Sequence, residues 1–310
     1  DNLPARSRFT LQSERLGPLP LVNHFIQRIG LEEALQRHVP SDARCAVPHA
    51  RALGVLLRSL IVEREPIYRQ QETVHGFASG MFGIDAQEMD HLCDDRLGRA
   101  LDRLFDADRA VLLTEVIVSV GERFGLRFDE LHNDSTSISF CGSYRAATGR
   151  AIRGRSAPAI TYGHSKAHRP DLKQLLFILT MSADGHVPVA FRCTDGNVND
   201  SRTHIQTWNT LCSVAGRADF LYVADSKLCS RETMDHIDRA GGRFVTVMPR
   251  NRREDTEFRK WIQTNTPAWE CVWDRDNPRR SEGPRDRWYV YRDPLVSAEV
   301  CVVVWVWSTL

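Results

Sequence analysis

The sequence predicts an α+β protein with an α/β pattern in its second part: a helical N-terminal region, then a region built on a mixed β-sheet. Hydrophobic residues recur at helical spacing up to residue 126, whereas after it they form short runs separated by turn residues. Those runs follow the order strand, hairpin, helix, strand, helix, strand. We therefore expect a helical domain over 1–126, a sheet domain over 127–265 and a β-rich segment over 266–310.

The composition excludes several classes of protein. Hydrophobic residues make up 42% and charged residues 26% of the 310 positions, which is ordinary for a globular chain and unlike a disordered or fibrous one. No run of 18 apolar residues occurs, and the N-terminus lacks the apolar core of a signal peptide. The eight cysteines stand singly, which favours reduced thiols. We expect a soluble, cytoplasmic protein with no membrane partner.

The N-terminal region contains several apolar stripes at helical spacing. The segment "LPLVNHFIQRIG" predicts a helix that stops at Gly30, and "LEEALQRHV" predicts a short second helix. A longer helix begins after Pro48, and its apolar face consists of Leu53, Leu56, Leu57, Leu60 and Ile61. Asp106 is predicted to cap "ADRAVLLTEVIVSVGERFG", which ends at Gly125. We expect these stripes to form a core and not a cofactor site.

The second region reads as strands and helices in alternation. "FDELHND" predicts a strand that ends on Asp134, and "QLLFILTMSADGHVPVAFRCTDGN" predicts a hairpin that turns at Asp184 and Gly185. "ADFLYVAD" predicts a strand that ends on Asp225, with a helix on either side of it in the sequence. "GRFVTVMPR" predicts one more strand. Two strands of this region therefore end on an aspartate.

Asp134 and Asp225 are candidate metal ligands. If their strands are parallel neighbours, both residues lie at the same edge of the sheet, with backbones about 4.8 Å apart. Carboxylates this close repel each other unless a cation lies between them, and two Mg²⁺ ions roughly 3.5–4 Å apart fit the gap. Each aspartate alone is more typical of a turn or a helix cap. Their joint position favours a metal site.

A basic segment lies between Cys141 and Lys173. It contains seven Lys or Arg residues against one acid, Asp171. Two interpretations of this segment are open: it contacts a DNA backbone, or it is a solvated basic loop. In the first interpretation the candidate DNA-binding residues are Arg153, Arg155, Lys166, His168, Arg169 and Lys173. His164 and His168 have the i, i+4 spacing of zinc ligands on a helix, but the neighbouring Gly163 and Pro170 favour a loop.

Four motifs in order, "HNDSTS", "GHSKAHRPDLKQL", "GNVNDSRT" and "YVADSKLCS", carry a family resemblance. The chain resembles insertion-sequence transposases with a ribonuclease-H-like DDE domain, most of all the IS-four-like group and its IS-sixteen-thirty-four branch. The resemblance implies metal-dependent DNA cleavage and strand transfer. Asp134 and Asp225 match the first and second catalytic aspartates of that family, which bind Mg²⁺ or Mn²⁺.

The resemblance also implies the partners of the chain. These are double-stranded DNA, both as terminal inverted repeats and as target, with a homodimer as one form of the DNA complex. The helical region 1–126 corresponds to a domain that precedes catalysis and is expected to bind DNA, and segment 127–265 to a ribonuclease-H-like catalytic core. The resemblance places the protein in a bacterial cytoplasm, at the nucleoid.

One departure from the family pattern concerns the third acid. The family uses a Glu on a helix that follows a β-rich insertion, whereas segment 266–310 resembles that insertion and Leu310 lies inside it. Glu282 and Glu299 lie within the insertion and are poor substitutes, so the expectation is a chain truncated before its third ligand. Two alternatives therefore stay open: an inactive DNA-binding remnant that regulates transposition, and a ribonuclease-H-like nuclease unrelated to mobility.

Overall fold

The computed structural model describes residues 13–165, 168–199, 203–277 and 285–309, with the backbone alone for residues 294 and 295. The chain divides into two compact units. Unit 1 comprises residues 1–127 together with 150–157, and unit 2 comprises 128–149 together with 158–310. A separate boundary at residue 265, and the functional assignment of each segment, stay predictions.

Unit 1 is helical. Its elements are α1 (Leu19–Ile29), α2 (Leu31–His38), α3 (His49–Val62), a 3₁₀ turn (Ile67–Arg69), α4 (Gln70–His75), α5 (Ala86–Asp90), α6 (Asp94–Asp106) and α7 (Arg109–Phe124). Helix α1 ends at Gly30 as predicted, because that residue adopts a left-handed φ of 74° which glycine tolerates without a Cβ clash. Gly125 ends α7 in the same way.

Two sequence predictions about unit 1 are wrong in detail. The cap of α7 is Asp108, whose side chain accepts a hydrogen bond from the backbone N–H of Val111, and not Asp106, which is the last residue of α6. On α3, Leu53 is buried, but Leu60 and Ile61 are 61% and 59% exposed. Leu60 and Ile61 thus lie outside the core, whereas Val62 of the same turn packs against it.

Unit 1 has one contiguous hydrophobic core to which several of its helices contribute. Its buried members include Leu19, Leu35, Leu53, Val55, Val74, Phe82, Ile84, Leu92, Leu97 and Leu112. Helices α5 and α6 were not identified from the sequence, since "AQEMD" and "DDRLGRALDRLFD" contain few apolar residues. The tertiary packing of Met89, Leu97 and Ala100 places these short polar helices.

Unit 2 contains two sheets and three helices in its described residues. The elements are β1 (Glu130–Phe140), β2 (Lys173–Ser182), β3 (Pro188–Asp195), α8 (His204–Ala215), β4 (Leu221–Ala224), α9 (Arg231–Arg239), β5 (Arg243–Thr246), α10 (Arg253–Trp261), β6 (Glu270–Arg275), β7 (Asp286–Val296) and β8 (Val302–Ser308). The predicted order of strand, hairpin, helix, strand, helix, strand is confirmed.

The larger sheet has the order β3-β2-β1-β4-β5. Strands β1, β2 and β3 pair antiparallel, whereas β4 is parallel to β1 and β5 is parallel to β4. Antiparallel strands connect through a short turn, and parallel strands need a crossover, which α8 and α9 provide. This order, with a hairpin at one end and two crossover helices at the other, is the ribonuclease-H-like arrangement.

One face of this sheet packs against helix α8. Leu131, Leu176, Ile178 and Tyr222 point to this face and are buried. Trp208 of α8 lies 6.2 Å from the ring of Phe220, just before β4. Residues on alternate positions of each strand therefore separate into a covered face and a more exposed face.

The smaller sheet has the order β6-β7-β8 and pairs antiparallel throughout. Phe258 of α10 stacks on Trp305 of β8, with ring centroids 3.8 Å apart, and Trp261 stacks on Tyr291 of β7 at 5.7 Å. Aromatic stacking thus attaches this sheet to α10. Among the helices that the structure describes, none is both long and apolar enough to cross a membrane.

Candidate functional site

Asp134 and Asp225 occupy neighbouring positions on two parallel strands. The β1–β4 register ends with Asn133 beside Ala224. Asp134 is the next residue of β1, and Asp225 is the first residue after β4. Neighbouring strands lie about 4.8 Å apart, so the two backbones remain close at this point. The two strands are thus parallel neighbours, which is the condition under which the sequence placed both aspartates at one edge of the sheet.

Solvent reaches both aspartates at the end of the β1–β4 pairing. Asn133 and Ala224 are buried on the face that packs against α8, so Asp134, which follows Asn133 within β1, points to the other face of the sheet. Asp134 and Asp225 are both exposed. The two carboxylates therefore face solvent from adjacent strands, where a ligand can reach them.

Backbone N–H groups hold one oxygen of each carboxylate. Asp134 Oδ1 accepts a hydrogen bond from the N–H of Ser135 at 2.7 Å, and Asp225 Oδ1 accepts one from the N–H of Lys227 at 3.0 Å. The carbonyl oxygen of Asp225 accepts a bond from the Thr246 hydroxyl at 2.6 Å, which ties the end of β4 to β5. These contacts limit the rotation of both side chains.

The strand prediction for Asp134 is wrong in one respect, because β1 does not end there. It continues to Phe140, and its pairing with β2 extends from Leu131 beside Ser182 to Phe140 beside Lys173. The pairing with β4 alone ends at Asn133. The hydroxyl-rich segment "STSIS" therefore belongs to the part of β1 that pairs with β2 alone.

The donor chemistry of this site suits a hard divalent cation. Carboxylate oxygens are the ligands that Mg²⁺ and Mn²⁺ prefer, and Asp134 and Asp225 supply them from a defined backbone geometry. Within residues 13–165, 168–199, 203–277 and 285–309, no group of three or more His, Cys, Asp or Glu side chains is arranged to hold a metal ion. The residues present thus fit a cation through two carboxylates.

The two acids that the sequence offered as poor substitutes for a third ligand lie elsewhere. Glu299 accepts hydrogen bonds from Arg252 at 2.5 and 3.0 Å, and its side chain is 6% exposed. The Arg252 guanidinium is the main reason why the pKa of Glu299 is lowered. Glu299 is therefore committed to an internal ion pair, and Glu282 lies outside the described residues.

A buried polar layer lies on the covered face next to the aspartates. The Thr180 hydroxyl donates to Asn133 Oδ1 at 3.2 Å, and the Tyr222 hydroxyl lies 3.0 Å from His204 Nδ1. Burial raises the pKa of Tyr222 well above its ordinary value, so this phenol stays protonated. Sequence reasoning missed these residues, although polar residues at inward positions of a strand were a usable signal.

Three of the candidate DNA-binding residues make contacts within the protein. Arg153 forms hydrogen bonds to both carboxylate oxygens of Asp106, at 2.7 and 2.5 Å, inside unit 1. Arg169 forms a similar two-point pair with Asp171, at 2.8 and 2.6 Å. Lys173 Nζ donates to the carbonyl oxygen of Ser143 at 2.5 Å. Their charges are therefore partly neutralised or held in place.

The remaining candidates differ in their surroundings. Arg155 is exposed and has no ion pair among the described residues. His168 is exposed and adopts a left-handed φ of 56°, and it lies with His164 in an irregular loop, as Gly163 and Pro170 predicted. Lys166 lies outside the described residues. Arg145, which sequence reasoning did not select, is also exposed without an ion pair in the described part of the chain.

Comparison with protein families gives two matches. Residues 130–292, more than half of the chain, match the family described as Transposase DDE domain. Residues 11–118 match a family described as Domain of unknown function (DUF4277). Both Asp134 and Asp225 lie inside the first match, and the helices of unit 1 lie largely inside the second.

Solved structures give distant likenesses. A piggyBac transposase synaptic complex with hairpin DNA has a TM-score of 0.42 and 12% identity, over 96% of this chain and 61% of that one. The Mos1 transposase paired-end complex with the left transposon end has a TM-score of 0.25 and 10% identity, over 73% and 74%. The chain thus spans about three fifths of the length of the piggyBac transposase. No curated protein matches the sequence.

Proposed function

The chain belongs to the transposase DDE domain family, and we propose that it is the DNA transposase of an insertion sequence, of the IS-four-like group and its IS-sixteen-thirty-four branch. In this proposal it cleaves DNA at terminal inverted repeats and transfers the freed strand end to target DNA. The supporting observation is the pair of exposed aspartates on adjacent positions of two parallel strands. Both reaction steps are phosphoryl transfers.

Asp134 and Asp225 are the residues that would hold a divalent cation. A bound Mg²⁺ or Mn²⁺ supplies Lewis acidity toward the phosphate and lowers the pKa of a water. The N–H groups of Ser135 and Lys227 each hold one oxygen of a carboxylate, Asp134 and Asp225 respectively. Because both oxygens belong to the same planar group, the position of the second oxygen is limited as well. The protein thus contributes alignment, on which phosphoryl transfer depends strongly.

The proposed partner is double-stranded DNA. The piggyBac structure is described as a complex with hairpin DNA and the Mos1 structure as a complex with a transposon end, which supports this assignment for the family. In the chain itself, Arg155 and Arg145 are exposed cations in the predicted basic segment. Residues 1–126 are proposed to recognise the DNA ends, and a homodimer is proposed as the form that joins two ends.

The test of this proposal replaces each aspartate with asparagine. We expect Asp134→Asn and Asp225→Asn, made in a version of the protein that carries the family's third acid, to lower cleavage of a labelled duplex, taken from the DNA flanking the gene, by at least about a hundredfold with Mg²⁺ or Mn²⁺. DNA affinity should change little, because the amide keeps the shape of the side chain. Titration with Mn²⁺ provides a second readout, and both variants should bind the ion more weakly than the wild type.

Asp219→Asn is the matched control. It removes the same charge from an exposed residue at the opposite end of β4. Cleavage by this variant should stay at the wild-type rate. Full cleavage by either Asp134→Asn or Asp225→Asn, or no cleavage by the parent protein that carries the third acid, would contradict the proposed function.

A further inference from the structure

Two of the sequence motifs, "GHSKAHRPDLKQL" and "GNVNDSRT", cross each other in the structure. A Cβ on Gly163 would lie 1.9 Å from the carbonyl oxygen of Gly196, and a Cβ on Gly196 would lie 2.0 Å from the carbonyl oxygen of Gln174. Neither distance leaves room for a carbon atom. The crossing therefore requires glycine in both motifs, and the two segments touch through their backbones.

Gln174 of β2 binds both segments at this crossing. Its side chain is 2% exposed, and Nε2 donates to the carbonyl oxygen of Gly196 at 2.7 Å and to that of His164 at 3.2 Å. Its backbone N–H and carbonyl also bond to Thr161, at 2.8 and 3.2 Å. One buried residue thus connects the sheet to the start of each of two loops.

The segment before Gly163 continues the sheet where β3 stops. Asp195 pairs with Leu175 as the last pair of β3, and Thr161 takes the next place beside Gln174. Asp195 Oδ1 accepts a bond from the N–H of Ala159 at 2.8 Å, and the N–H of Gly196 donates to the carbonyl of Ala159 at 3.2 Å. The crossing is therefore a rigid part of unit 2, and the loop that follows begins from a fixed point.

The loop that leaves this point carries exposed basic residues. The Ser165 hydroxyl accepts a bond from the N–H of Arg169 at 3.1 Å, and its carbonyl accepts one from His168 at 3.2 Å. These short-range bonds set the shape of the loop, whereas the bond from Gln174 to the His164 carbonyl sets where the loop begins.

The chemistry of the position also points to a positioning role. Leu176 and Ile178 lie on the same face of β2 as Gln174 and are buried apolar residues, so this face normally packs hydrocarbon. A buried amide is costly unless its hydrogen bonds are made. Here the NH₂ group makes two, both to loop carbonyls, whereas Oε1 has no hydrogen-bond partner among the described residues. At this position, hydrogen bonds to two loop carbonyls thus take the place of apolar packing.

We propose that Gln174 is a positioning residue for DNA binding: it holds the loop that begins at His164 so that His168 and Arg169 meet a phosphate of the DNA backbone. This inference rests on the proposed function for the identity of the ligand. Gln174 is five residues along the β1–β2 ladder from Asp134, since it pairs with Ser139, and it does not touch the reacting groups.

The test is a double-mutant cycle in the full chain. Gln174→Met keeps the length of the side chain and removes both donated bonds, and Arg169→Ala removes one cation of the loop. We expect Gln174→Met to weaken duplex DNA binding about tenfold and to lower the salt slope of binding by about one. Arg169→Ala should have a similar effect alone and little further effect in the Gln174→Met background, because the loop is already displaced.

Kinetics separate positioning from a general loss of structure. In cleavage assays Gln174→Met should raise KM about tenfold and leave kcat within about twofold. The control is Ser182→Ala, which removes a buried hydrogen bond of the same strand at the other end, where Ser182 contacts the carbonyl of Asp184. It should leave DNA affinity and the salt slope unchanged. If Gln174→Met does not fold, Gln174→Asn, which is too short to reach both carbonyls, replaces it.

The outcomes distinguish this inference from the proposed function. The inference would be overturned if the Gln174 variants kept the DNA affinity and salt slope of the wild type. Additive effects of Gln174→Met and Arg169→Ala on DNA affinity would also overturn it, as would an equal loss of DNA affinity in Ser182→Ala. A wild-type chain that binds DNA with the expected coupling but never cuts it would leave the inference standing and contradict the transposase activity. A wild-type chain that binds no DNA would overturn the inference.

Discussion

Arg252 binds two carboxylates in unit 2 through four hydrogen bonds. Its guanidinium bonds to Glu254 at 2.9 and 3.2 Å and to Glu299 at 2.5 and 3.0 Å. The other contact of Glu254 is the N–H of Ala298, at 3.1 Å, in the turn between β7 and β8. Hydrogen bonds from Arg252 are the main cause that lowers the pKa of Glu254 to about 2. This ion pair thus ties the smaller sheet to the start of α10.

The pH dependence of stability should report this contact. The pKa of Glu254 is lower in the folded chain than its ordinary value of 4.5, so its stabilisation is present above pH 4.5 and is lost as the pH falls toward 2. We expect Glu254→Gln to be less stable than the wild type by about 2–3 kcal/mol at pH 7. Urea unfolding at pH 7, 4, 3 and 2 should show that difference shrinking toward zero. A constant difference across this range would contradict the role of the ionised carboxylate.

Among the secondary-structure elements, β1 shows how neighbours decide where a strand ends. Its pairing with β4 covers Glu130 to Asn133, and its pairing with β2 covers Leu131 to Phe140. The pairing of β1 with β4 therefore stops seven residues before its pairing with β2. The aspartate lies where the first pairing stops, and the glycine crossing lies near the end of the second, where Ser139 pairs with Gln174.

The crossing of loops next to β2 gives a stability prediction at the element scale. Gly163→Ala should destabilise unit 2 by at least about 2–3 kcal/mol, because the added methyl group meets the Gly196 carbonyl and the backbone must shift. Gly98→Ala is the matched control, since no atom lies within 4 Å of a Cβ at this position of α6. That variant should gain about 0.5–1 kcal/mol through its better helix propensity. Urea unfolding measures the free energy of unfolding of both variants. Equal changes in the two would show that the crossing has room for a Cβ at residue 163.

The whole chain consists of two units with separate hydrophobic cores. Leu97 of α6 is buried in unit 1 and Leu131 of β1 is buried in unit 2. Chains of more than one domain commonly unfold in more than one step. The segment 150–157, held by the Arg153–Asp106 pair, belongs to unit 1 although it lies between β1 and β2 in the sequence. The chain therefore passes three times between the units.

Calorimetry should resolve the two cores. We expect two thermal transitions, with Leu97→Ala lowering one and Leu131→Ala lowering the other, each by the equivalent of about 2–5 kcal/mol. The assignment is specific because each substitution opens a cavity in one core only. A single transition that both substitutions lower equally would show that the two units unfold as one.

The sequence by itself determined those features that depend on residues close together in the chain. Hydrophobic spacing within ten or fifteen residues is enough to recognise α1 and α7, and the glycines at 30 and 125 end them for a local reason, the left-handed backbone that each adopts. The alternation of strands and helices after residue 126 was also local, whereas the parallel pairing of β1 and β4 entered only as a condition of the metal-site hypothesis. The order of four motifs was sufficient to recognise the family.

Only the tertiary structure decided which distant residues meet. Arg153 pairs with Asp106, 47 positions away, whereas the sequence left open only DNA contact or a solvated loop for this residue. Strand β1 continues past Asp134 because β2 pairs with it. The meeting of Gly163, Gly196 and Gln174 likewise joins three segments that share no local pattern. The physical reason is that such contacts depend on how loops close and how whole elements pack, and neither is encoded in the spacing of neighbouring residues.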